Sequence, residues 1–155
     1  GDLGLPFARR MRKIHDKRKR LAAIHKEIRR LGWRVVYVNR NVSHKFWLRN
    51  TTYHRKLVLG SGWSREDRHQ QCKTLMHELV HMRQRLRLGR ARFLRYYAQA
   101  EYRWALEVSA YRANRLFWPT RISPKWLRKF YRLGRLSKRD VYGETDAILM
   151  KVRML

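Results

Sequence analysis

Lys56-Leu57-Val58-Leu59-Gly60-Ser61-Gly62, followed after Ser64 and Asp67 by His77-Glu78-Leu79-Val80-His81, is the stretch in which the chain changes period. The first four residues are a β-rich run, and the glycines on either side of Ser61 break it. Ser64 followed by Asp67 resembles a capping box. Cys72, Leu75 or Met76, Leu79 and Leu86 then recur at helical spacing, and Gly89 offers a stop, so a helix is predicted from about residue 65 to 87. A strand running into a long amphipathic helix sets the class as α+β.

Upstream, Met11, Ile14, Leu21, Ile24, Ile28 and Leu31 are spaced for one helix over residues 9–31, closed by Gly32. Arg34 to Val38 reads as a strand, and Phe46-Trp47-Leu48, inside the polar stretch Asn39 to Tyr53, as a middle one. Downstream, a helix over roughly residues 92–117 is apolar nearly all round between Trp104 and Ala113, which predicts a central, buried element. Pro119 stops it, Pro124 to Leu133 reads as a short basic helix, and Ile148 to Val152 as a strand. The division expected is a basic N-terminal helix (1–32), a core (33–118) and a basic C-terminal extension (119–155), together one compact domain of 155 residues.

The spacing of the two histidines carries chemistry. Residues four apart on a helix differ by about 40° in direction and about 6 Å along the axis. His77 and His81 can therefore converge on one metal from one face, and nitrogen ligands with one open coordination position suit catalytic zinc (Zn2+). Glu78, on the flank of the same turn, can act on water beside the metal as general base without becoming a ligand. Between Arg68 and Arg139 the only carboxylates are Glu78, Glu101 and Glu107. A carboxylate among apolar residues in so basic a segment needs a metal or an arginine. Glu101 and Glu107 point about 120° apart on a helix, so one ion can hardly take both.

A strand bounded by glycine, an H-E-L-x-H helix and a following helix with glutamate together resemble the gluzincin class of zinc metallopeptidases, over residues 57–111. The resemblance implies a zincin-like fold, with a small mixed sheet packed against the metal helix and a second buried helix, and it implies hydrolysis of a protein or peptide substrate. In that class the third ligand often stands in E-x-x-A followed by Asn or an aromatic residue, as in Glu107-Val108-Ser109-Ala110-Tyr111 here. Glu101 matches the spacing of larger gluzincins but not the residues that follow, so Glu107 is preferred and Glu101 is the alternative. Tyr111 becomes a candidate for orienting a ligand or stabilising the transition state, with Tyr97, Tyr102 and His69 behind it; each tyrosine also suits ordinary buried packing. The resemblance further implies that Lys56 to Leu59 is an edge strand that pairs with extended substrate, where an ordinary core strand is the alternative. Cys72 points away from the imidazoles and reads as core.

Charge supplies the second theme. Arg and Lys total 39 against 11 Asp and Glu, a net +28, and 28 of the 39 are arginine. Such a charge repels itself and calls for a polyanion, and arginine suits bidentate phosphate contacts. Nucleic acid, DNA or RNA, is the expected partner. Arg9, Arg10, Arg12, Lys13, Lys17, Arg18, Lys19 and Arg20 at one end, and Arg128, Lys129 and Arg132 at the other, are the candidate contacts. No zinc-finger spacing, basic-region heptads or ribonucleoprotein box points to sequence-specific reading. No apolar run is long enough for a membrane span, no signal-peptide core follows the basic start, and one cysteine excludes an internal disulfide framework. The expected setting is intracellular, in cytoplasm or nucleoid, or packaged in a phage virion. The alternative to a peptidase is a non-catalytic nucleic-acid-binding or structural protein of a nucleoprotein particle on the same scaffold.

Overall fold

The computed structural model describes residues 3–37, 46–50, 55–60, 62–118 and 141–152. It is α+β, with six α-helices and three strands among those residues. The chain divides into two compact units, Gly4–Met82 and Arg83–Leu155 together with Gly1–Leu3. The division falls inside a continuous helix.

In the first unit the expected single N-terminal helix is two, α1 (Leu5–Arg12) and α2 (Lys17–Arg30). The apolar register runs through both, but Asp16 interrupts it by capping α2, its Oδ1 accepting from the Lys19 N–H at 2.9 Å. That backbone hydrogen bond holds the Asp16 carboxyl below the ordinary carboxylate range. The cap is therefore complete above that range and is lost as pH falls through the lowered value. Gly32, at φ +84°, ends α2 as expected, in a Schellman motif. The Trp33 N–H reaches the Ile28 carbonyl and the Gly32 N–H that of Arg29. Buried Glu27 pairs with Arg30 and, at 3.5 Å, with Arg10, tying α1 to α2.

The sheet has the order β1-β3-β2, from β1 (Arg34–Tyr37), β2 (Phe46–Asn50) and β3 (Arg55–Leu59). β3 is parallel to β1, with Val35 opposite Leu57, and antiparallel to β2, with Trp47 opposite Val58. The strand expected at Phe46 exists, though at the sheet's margin. The edge expected at Lys56 to Leu59 does not: β3 is flanked on both sides, and Leu57, Val58 and Leu59 are buried. Both ladders occupy its backbone N–H and C=O groups, so it cannot take an added strand.

α3 (Arg68–Leu88) starts three residues later than the sequence suggests. Ser64 lies in a 3-10 turn, Trp63–Arg65, and Asp67 is itself the cap, accepting the Gln70 N–H at 2.8 Å. Cys72, Leu75, Met76 and Leu79 are buried as expected, but Leu86 is largely exposed. Burial pushes the Cys72 thiol up to about 11.

In the second unit the helix expected over 92–117 is also two, α4 (Arg90–Tyr97) and α5 (Ala100–Arg115). The break at Ala98 and Gln99 has no glycine or proline to announce it. Gly89, at φ +81°, separates α3 from α4. α5 is buried nearly all round from Trp104 to Ala110, as read from sequence. The expected C-terminal strand is instead helical, α6 (Val141–Lys151): Thr145, Leu149 and Val152 are buried at intervals of four and three, a helical rather than alternating face. Leu88, Phe93, Ala105, Leu106 and Leu149 form the core of this unit, and Arg112 binds Asp146 at 2.7 Å between α5 and α6. Arg128, Lys129 and Arg132, with the helix expected around them, lie outside the described residues.

Candidate metal centre

A helix turn of α3 brings the two histidines together. His77 Nε2 and His81 Nε2 are 3.1 Å apart, with ring centroids at 4.8 Å and planes 77° apart. Two ring nitrogens this close need either a proton or a cation between them. Tetrahedral zinc with nitrogen ligands at 2.0–2.1 Å places those nitrogens about 3.3 Å apart, so the observed separation suits a metal with little rearrangement. His81 is buried and His77 half-buried. Glu78, about 100° around the helix from His77, is 7% exposed.

Gln84 lies on the same face of α3 as both histidines, within about 60°. Its Nε2 donates to the Leu106 carbonyl at 3.0 Å, in a buried contact next to Glu107 in the chain. Glu107 is 5% exposed and its Oε1 accepts the Tyr97 O–H at 2.8 Å. Glu101, in the first turn of α5, is exposed.

Among the described residues, His77, His81 and Glu107 form a group that could hold a metal ion, with one ligand atom from each within 4.8 Å of the others. Two imidazole nitrogens and a carboxylate oxygen are a borderline donor set that zinc accepts readily. Glu101 is outside that group. Tyr111 is half-buried one turn beyond Glu107. Tyr97, the last residue of α4, hydrogen-bonds Glu107. Its contact crosses the α4–α5 break, which sequence spacing did not reveal.

The basic N-terminal candidates divide into two kinds. Arg9, Arg12, Lys13, Lys17, Arg18 and Lys19 are exposed, as is Arg10, although Arg10 pairs with Glu27 and lies over the Phe7 ring at 5.5 Å. Arg20 is half-buried and donates from Nε to the Ile14 carbonyl across the α1–α2 turn, so it serves the fold. Among the described residues no helix is long and apolar enough to cross a membrane. The chain matches no family model, no curated protein and no solved structure.

Proposed function

We propose that the chain is a zinc-dependent peptide hydrolase with a zincin-like core, acting on proteins held beside nucleic acid. The observation that carries the reading is the convergence of His77 and His81, on one turn of α3, at a nitrogen separation matched to a shared ion. His77, His81 and Glu107 would hold the metal. When bound, it would act as a Lewis acid towards a carbonyl and make water easier to deprotonate. Glu78 takes a proton from the attacking water as oxygen bonds to the peptide carbon, then delivers it to the amine nitrogen as the C–N bond breaks. Glu78 is 7% exposed, which limits its contact with bulk solvent, and the Tyr97 hydroxyl hydrogen-bonds Glu107.

The direct test is cleavage of denatured casein. Activity is expected to disappear after treatment with a zinc chelator and to return with about one equivalent of zinc per chain. Cleavage undiminished by complete metal removal would refute the reading.

The placement beside nucleic acid rests on the exposed cations of α1 and α2. The two acids of that segment, Asp16 and Glu27, offset only a small part of its charge: Asp16 caps α2, and Glu27 pairs with Arg10 and Arg30. Each neutralised phosphate on duplex DNA adds about −0.9 to the slope of log affinity against log salt. Replacing Lys13, Lys17, Arg18 and Lys19 by glutamine is expected to flatten that slope by up to about 3.6. An unchanged slope would move the contact elsewhere. The same cations favour a second reading, a non-catalytic nucleoprotein or phage-particle component, which DNA binding without any metal-dependent cleavage would select.

A further inference from the structure

We infer that the elbow between α4 and α5 is a contact surface for single-stranded nucleic acid, with Tyr96 and Tyr102 as base-stacking side chains and Arg92 and Arg95 as phosphate contacts. The inference rests on the nucleic-acid part of the reading above, which it extends to the second unit, and it does not depend on the metal centre. Arg92, Arg95 and Tyr96 stand at i, i+3 and i+4 of α4, within an arc of about 100° around the helix. Phe93 and Tyr97 form the next stripe, and Phe93 is buried in the core of the unit, so the Arg92 stripe turns to solvent. Both arginines are exposed, and Tyr96, at the boundary between the two stripes, is half-buried.

The elbow adds a second ring. The Tyr96 and Tyr102 centroids are 4.9 Å apart with planes at 53°, so aromatic contact joins the last turn of α4 to the first turn of α5. Tyr102 is also half-buried, which leaves part of each ring in solvent. Gln99 Nε2 donates to the Arg95 carbonyl at 3.2 Å and Arg103 Nη1 to the Tyr97 carbonyl at 3.3 Å, and the two bonds hold the backbone of the turn. Rings already fixed lose little freedom when a base stacks on them. Every base has a π-face, so such stacking tolerates any sequence and needs no base-reading motif. Glu101, beside Tyr102, is the only exposed carboxylate of α4 and α5. It disfavours a phosphate at the start of α5 and leaves the backbone track along Arg92 and Arg95. An acidic peptide would satisfy the arginines but offers no planar group to match the ring pair.

The test is fluorescence anisotropy of the full chain with a labelled oligothymidylate of about 16 nucleotides, and with a duplex of the same length. Tyr96→Leu is expected to weaken single-strand binding by about 5- to 100-fold. Duplex binding should stay at the wild-type level, because paired bases stack on each other and offer the ring no free face. Tyr96→Phe keeps the ring and should bind both probes as wild type does. Replacing Arg92 and Arg95 together by glutamine is expected to flatten the single-strand slope of log affinity against log salt by up to about 1.4. Single-strand affinity unchanged in Tyr96→Leu, or weakened equally for both probes, would overturn the inference. Polyglutamate displacing the probe as well as unlabelled oligothymidylate does would also overturn it, and would mark a site for acidic protein. Duplex binding that depends on the cations of α1 and α2, with Tyr96→Leu at wild-type single-strand affinity, would leave the earlier reading standing and refute this one. Ring-dependent binding of single strand with no duplex affinity would do the reverse.

Discussion

Glu78→Gln is expected to lower peptide hydrolysis by about 10²- to 10⁴-fold while zinc content stays at the wild-type level. The amide has nearly the size and shape of the carboxylate, so the packing around a 7% exposed side chain is preserved. It cannot accept a proton from water at neutral pH. The proposed ligands His77 and His81 stand one residue before and three after, on the same helix, and neither is altered. Loss of activity with retained metal separates a general base from a ligand. Loss of both would make Glu78 structural, and retained activity would remove it from the mechanism.

His81→Ala should have the larger effect on metal. Removing a group that only orients a ligand costs about 10- to 100-fold in affinity, and removing one of three ligands is expected to exceed that. The centre would keep one imidazole and one carboxylate, a pair that holds zinc far less tightly than three donors. A thermal shift gives an independent reading. A ligand at 1,000 times its dissociation constant stabilises the native state by about 4 kcal/mol, so zinc should raise the melting temperature of wild type and barely move that of the variant. An equal zinc-induced shift in both proteins would place the bound ion elsewhere.

The pairing of the two histidines on α3 was more legible than its surroundings. Two histidines at helical spacing have one geometric consequence, and the structure places their nitrogens 3.1 Å apart. The burial of α5 followed from its run of apolar residues, and the end of α2 from Gly32. What escaped the sequence were interruptions and neighbours. The apolar register of residues 9–31 continues across the turn at Asp16, because α1 and α2 both turn apolar faces inward, Phe7 and Met11 from one and Ile24 and Ile28 from the other. The α4–α5 break lacks glycine and proline, so periodicity ran through it. Ile148 to Val152 is too short to separate alternation from a helical face, and the answer lay three residues upstream at Thr145. Strand order is non-local. Nothing in Lys56 to Leu59 indicates that β1 and β2 close on it from both sides. In the sequence Tyr97 stood behind Tyr111 as a candidate because the break that brings it to Glu107 carries no local signal.

The measurement closest to the central claim is elemental analysis of protein prepared without chelator, combined with zinc-edge X-ray absorption. The account predicts one zinc per chain, with two imidazole nitrogens and a carboxylate oxygen at about 2.0–2.2 Å, lost in His81→Ala. Absence of bound zinc, or a zinc shell unaltered by that substitution, would contradict it.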